Sequence, residues 1–168
     1  EVLCVDSVRG QEKGACVYDF EFQRTCKFTT RSECSSGVNG TKNGEFFVDK
    51  LCSAPELATN CGKTKSSACV AGKDEVYFID SCGNPANIYD ASKINDEEYW
   101  SNAKTKSESC NPLLGNANSK NCGNCNYLQG SICRPAQKSN LPSFGTNICA
   151  DLNCKNTQNG KSYKHGES

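Results

Sequence analysis

The sequence predicts a small disulfide-rich, mainly β protein, with short antiparallel strands in repeated units, one short helix and long loops. Three observations lead there. Cysteine supplies 14 of 168 residues and histidine only one, so disulfides in an oxidising compartment explain the thiols better than metal does. Leu, Ile, Val and Phe together number only 28, which leaves a thin core. The seven bridges that 14 cysteines allow, at roughly 2–4 kcal/mol each, would make up the difference. Apolar–polar alternation of period two also recurs between Asn-Gly and Gly-Asn turn signals, the pattern of half-buried strands.

The clearest alternation runs from Cys16 to Phe28, where Tyr18, Phe20 and Phe22 interleave with Asp19, Glu21 and Gln23. Read as one strand, it puts Cys16 and Cys26 on the aromatic face, about 33 Å apart at ~3.3 Å per residue. A disulfide needs Cα atoms within about 7 Å, so these two are not expected to bond to each other. Two further strands are predicted over Glu45–Cys52 and Glu75–Cys82, the first after the turn dipeptides Asn39-Gly40 and Asn43-Gly44. The one helix is predicted from Asp96 to Ser107. Asn95 would cap it with Glu98 completing the box, and Tyr99, Trp100 and Ala103 would form the apolar stripe. From Cys110 the chain is rich in Asn, Gly, Ser and Pro and reads as stapled loops. The expected organisation is a strand-rich part (1–85), a linker with the helix (86–109) and a loop-rich part (110–168).

Cysteine spacing repeats. Cys26–Cys34 and Cys61–Cys69 are both Cys-x7-Cys, and each precedes a strand with a glutamate seven residues before a cysteine, Glu45…Cys52 and Glu75…Cys82. Each strand ends in Cys-x-x-Pro, at Pro55 and Pro85. A true duplication would bond Cys52 and Cys82 to equivalent partners and point Phe47 and Tyr77 the same way. A third Cys-x7-Cys, Cys125–Cys133, has only a weak sequel at Cys149. All fourteen cysteines, Cys4, Cys16, Cys26, Cys34, Cys52, Cys61, Cys69, Cys82, Cys110, Cys122, Cys125, Cys133, Cys149 and Cys154, are read as disulfide-bonded.

The motifs that could carry chemistry each have a plainer reading. Cys122-Gly-Asn-Cys125 has thioredoxin-type spacing but lacks the strand before and helix after that would stabilise a thiolate. Zinc on Cys122, Cys125, Cys149 and Cys154 is the other alternative to bridges there. His165 is the only imidazole and sits in a Gly- and Ser-flanked tail, so no catalytic residue is assigned. Glu97 and Glu98 suit an exposed first helical turn rather than a glycosidase pair. Asp80, Asn84, Asn87 and Asp90 offer oxygen ligands for calcium, yet Asx-turn hydrogen bonding accounts for the same residues. No cofactor is therefore expected. Asn39-Gly40-Thr41 is the only N-glycosylation sequon, and Asn39 on a turn is the candidate glycan site. With 19 basic and 19 acidic residues, a nucleic-acid partner is not expected. No apolar run is long enough for a membrane span.

The segments Tyr77–Asp90, Cys122–Cys133 and Asn159–Ser168 look like cysteine-rich secreted proteins of archaea, over about a fifth of the chain. In those proteins the third segment resembles a lead-in to a further Trp-Cys, which implies that this chain stops short of another cysteine-containing segment. Glu1 reads correspondingly as a processed or cut terminus. The resemblance implies a surface or extracellular location and no assigned activity. Covalent reinforcement, repeated strands and zero net charge lead to an expected extracellular structural protein, a subunit of a surface filament or a module of a surface adhesin. Self-association, or another extracellular protein or glycan, would be its partner. A secreted inhibitor or soluble ligand, with Leu141-Pro-Ser-Phe144 as a contact loop, is the alternative.

Overall fold

A computed structural model describes residues 8–153 and 161–166. The protein is a small disulfide-rich β fold of short antiparallel strands. Its sheets have the strand orders β2-β1-β3, β4-β5-β6 and β7-β8, with β1 Lys13–Phe20, β2 Gln23–Thr30, β3 Glu45–Val48, β4 Ser66–Cys69, β5 Val76–Ile79, β6 Pro85–Ile88, β7 Ser131–Pro135 and β8 Asn147–Asp151. Among the described residues no helix is long and apolar enough to cross a membrane. Two compact units share the chain in alternating stretches rather than in three consecutive parts. One takes the described residues up to Thr64 with 79–87 and 96–104; the other takes 65–78, 88–95 and those from Thr105 on.

The predicted strand from Cys16 to Phe28 is a hairpin. The chain reverses at Glu21-Phe22, and β1 pairs with β2 so that Cys16 faces Lys27 and Val17 faces Cys26. Successive side chains in a strand point to opposite faces, so Cys16 and Cys26 lie on opposite sides of the sheet. Their separation along one strand is not what keeps them apart. On one face Ala15, Val17 and Cys26 pack with Cys52, Ala54, Leu57 and Cys61. On the other, Cys16 and Tyr18 pack with Cys34 and Val38. Cys26–Cys52 clamps the first layer and Cys16–Cys34 the second. Gly44 crosses the Cys16–Cys34 bridge so closely that a Cβ would lie 2.6 Å from the Cys16 sulfur.

A short helix absent from the sequence reading, α1 (Arg31–Ser36), follows β2 and carries Cys34. Thr30 and Glu33 form its reciprocal capping box, a Thr-x-x-Glu signal present in the sequence. The predicted helix over Asp96–Ser107 is instead a turn, with Asp96 Oδ1 accepting from the Tyr99 amide at 3.1 Å. A separate 3-10 turn follows at Lys106–Glu108. Tertiary partners divide the segment. Asn102 bridges Lys50, and the Asn87 amide donates to the carbonyls of Tyr99 and Asn102 at 2.6 and 2.8 Å. Tyr99 and Trp100 are buried all the same.

In the unit containing β7 and β8, Phe78 meets Tyr89 and Phe144 edge-on at 5.5 and 5.2 Å. Gly123 is wedged beside this cluster: Val76 donates to its carbonyl and it donates to the Tyr89 carbonyl, each at 2.8 Å. Beneath it, Glu75 is buried. Burial opposes its ionisation, but the Lys106 ammonium at 2.9 Å, the residue's own backbone amide and the Tyr77 hydroxyl hold its carboxyl below the usual range.

Candidate interaction surface

The bridges decide which cysteines remain for chemistry. They are Cys16–Cys34, Cys26–Cys52, Cys61–Cys82, Cys69–Cys133, Cys110–Cys122 and Cys125–Cys149. Cys4 and Cys154 lie outside the described residues. Cys122 and Cys125 bond to different partners, which removes the thioredoxin-type pair. With Cys149 bridged as well, three of the four sulfurs considered for zinc are spent in S–S bonds. Within the repeat, Cys52 and Cys82 are each joined to the first cysteine of the preceding Cys-x7-Cys. The glutamates do not correspond: Glu45 is exposed and 3.7 Å from Arg24, whereas Glu75 is buried on Lys106.

The oxygen-rich loop is occupied by its own backbone. Asp80 Oδ1 accepts from the amides of Cys82 and Asn84, each at 2.9 Å. Burial raises the Asp80 carboxyl above its usual range, against those hydrogen bonds and the one from the Asn84 side chain. Asn87 holds the turn described above, and Asp90 caps Ala91–Lys93 through the Ser92 amide. Asp80 and Asn84 thus bond to each other while Asn87 and Asp90 hold other turns, and the four do not form one ligand set. Among the described residues no group of three or more His, Cys, Asp or Glu could hold a metal.

His165 packs edge-on against Tyr127 at 5.1 Å, and its amide donates to Asn153. Glu98 pairs with Lys104 on the surface. Asn39 sits exposed on a tight turn closed by the Val38–Thr41 bridge, with its amide donating to the Tyr18 hydroxyl at 2.9 Å. The proposed contact loop fails at Phe144, whose ring belongs to the buried aromatic cluster.

The edges of the β2-β1-β3 sheet offer little to a pairing strand. In the β1–β3 pair Asp49 donates to Lys13, which by alternation turns the backbone groups of Phe46 and Val48 to the open side. On β2 three of the outward groups are already taken. The Arg24 carbonyl accepts from Asn60 at 2.9 Å. The Asn84 side chain donates to the Cys26 carbonyl at 3.1 Å and accepts from the Phe28 amide at 2.9 Å. One side-chain amide therefore imitates the peptide of a neighbouring parallel strand. The other edge of that sheet, β3, is four residues long. A second β3 laid antiparallel on it with Phe46 opposite Val48 would set Glu45 against Asp49, a like-charge pair that disfavours the match.

The hairpin tip is an exposed aromatic site; leucines such as Leu113 and Leu128 are exposed elsewhere. Phe22 is fully exposed at 108% and Phe20 at 43%. Glu21 and Phe22 form a two-residue loop with φ of 48° and 65°, the region that Asn-Gly normally occupies in such turns. A non-glycine residue pays roughly 1–2 kcal/mol there. The sequence reading placed Phe22 on a strand face with Tyr18. Tyr18 is instead buried, Phe20 projects past the covering layer and Phe22 stands in the turn itself. Phe47 packs against the Ala15–Val17 cluster. No protein-family model, curated protein or solved structure matches this chain to a significant level.

Proposed function

We propose that the chain is an extracellular structural protein, a subunit of a surface filament, that joins other copies through an exposed aromatic tip and has no catalytic role. The single observation that carries this reading is Phe22, an unburied aromatic held at the end of a covalently clamped hairpin in a backbone conformation that favours glycine. Backbone strain of this kind clusters at functional sites, and aromatic anchors dominate protein contacts. Six bridges and the lack of a membrane-crossing helix among the described residues are compatible with secretion. The resemblance to archaeal surface proteins points the same way. The Asn39 amide, on an exposed turn, suits a glycan in that setting.

Sedimentation velocity over a concentration series, with electron microscopy of the oxidised chain, tests the proposal. Regular polymers that grow with concentration are expected. A chain that stays monomeric throughout would overturn it, and the secreted inhibitor or ligand would take its place.

A further inference from the structure

We infer that Lys50 and Asn102 join through a side-chain amide bond, formed by the protein itself with Glu56 as the proton acceptor. Lys50 Nζ donates to Asn102 Oδ1 at 2.7 Å and to Glu56 Oε1 at 2.6 Å. An amine, a carboxamide and a carboxylate thus meet at one point, the first two from positions 52 residues apart. Backbone pairing holds them there. Lys50 and Asn102 face each other across an antiparallel bridge, flanked by hydrogen bonds from the Ala103 amide to Asp49 and from the Leu51 amide to Ser101. A pair set between two such bonds is the non-hydrogen-bonded kind, in which facing side chains lie closest. Leu51, Trp100 and Ser101 beside it are buried, which fixes the two backbones. The bond would also fall where the chain lacks a staple. Cys82 to Cys110 is the longest interval between cysteines in the sequence, so no disulfide can tie down the segment that carries Asn102.

The step balances without a co-reactant. At rest Lys50 is an ammonium, and its hydrogen bond holds the Glu56 carboxyl below the usual range. When Nζ passes a proton to Glu56, its lone pair is freed to attack Asn102 Cγ. The bond from Cγ to Nδ2 then breaks. Nδ2 collects the Glu56 proton and one from the attacking nitrogen, and leaves as ammonium. Lys50 and Glu56 are a third and a half exposed, so the neutral amine is the minor form. A bond made once in the life of a chain does not need that form to be abundant. Oriented groups in contact reach effective molarities of about 10⁵–10⁸ M.

The test is the intact mass of the full oxidised chain, followed from refolding, as wild type, Lys50→Arg, Asn102→Ala and Glu56→Gln. Wild type should be one ammonia lighter than its disulfides alone predict, and Lys50→Arg and Asn102→Ala should lack that deficit. Lys50→Arg keeps the positive charge beside Glu56, so equal thermal melting before the bond forms separates its chemistry from folding. Glu56→Gln should slow closure about 100-fold or more. After reduction and digestion, wild type should give a branched peptide that joins Lys50 to Asn102 and survives mild alkali. A wild type of full mass would overturn the inference. So would a deficit that persists in Lys50→Arg, or one that mild alkali reverses, as it does an Asn-Gly succinimide. Glu56→Gln closing as fast as wild type would overturn the role given to Glu56. A monomer and a polymer would carry the bond alike, so these outcomes leave the filament reading to its own test.

Discussion

Replacing Asn84 with alanine is expected to cost about 3–5 kcal/mol of stability, and the structure shows where each part arises. The side chain is buried at 7% exposure. Its amide donates to the Cys26 carbonyl and to Asp80 Oδ2, each at 3.1 Å, and its oxygen accepts from the Phe28 amide. Truncation leaves that amide and that carbonyl without partners on the outer edge of β2. Each buried unsatisfied group costs about 1–3 kcal/mol, and a lost donor to a carboxylate about as much. Asp80 keeps its two backbone donors, which holds the total below the simple sum. Asn84→Asp separates the parts further. It retains an acceptor for Phe28 but removes both donations and faces Asp80 with a second carboxylate, so it should be worse than alanine at neutral pH and recover on acidification. Urea unfolding with the bridges intact, analysed for midpoint at constant slope, gives the values. Amide exchange at Phe28 reports the edge directly. Alanine within about 0.5 kcal/mol of wild type, the range of an ordinary surface change, would refute the strand-mimic account, as would unchanged protection at Phe28.

Peptide mapping without reduction should recover Cys26–Cys52, Cys61–Cys82 and Cys125–Cys149; a Cys122–Cys125 peptide would contradict the framework. Gly123→Ala puts a Cβ 2.7 Å from the Val76 Cβ and 2.9 Å from that of Tyr89, so a loss of about 1–3 kcal/mol is expected in thermal melting. Because the Glu75 carboxyl is held low in the folded state, its contribution is present above the ordinary glutamate range and lost as pH falls through the folded value. Glu75→Gln should therefore cost about 1–2 kcal/mol at neutral pH, discounted because Lys106 is partly solvated, and flatten the acid limb of stability against pH. Asp80 has the opposite sign: stability falls as pH rises from the ordinary aspartate value through its raised one.

Much of the β framework was legible, and the exceptions have physical causes. Glu45 and Glu75 marked where β3 and β5 begin, because turn dipeptides or polar runs precede a short apolar stretch. The hairpin was not legible. Phe20-Glu21-Phe22-Gln23 continues the alternation of β1 through a reversal that carries none of the usual turn residues. The same absence hid the exposed tip, since an alternating aromatic reads as buried. The helix α1 had a readable capping box, Thr30 to Glu33, overlapping the end of a convincing strand. At 96–107 local signals favoured helix, but Lys50 and Asn87 claimed the backbone at Asn102, and no local pattern reports partners so distant in sequence.

The bridges argue for repetition more strongly than the strands do. In all three Cys-x7-Cys segments the first cysteine reaches forward to the sequel cysteine, with separations of 26, 21 and 24 residues. The strands around them are not equivalent: Cys26 lies within β2, whereas Cys61 precedes β4 and Cys125 precedes β7. The second cysteines diverge as well. Cys34 turns back to Cys16, while Cys69 and Cys133, the second cysteines of two different segments, bond to each other. A covalent loop of similar span can close around different local conformations, because its entropic contribution depends on loop length and only weakly on what the loop contains. The forward bridge is thus the element that repeats, and the second cysteine is the one free to find a partner beyond its own segment.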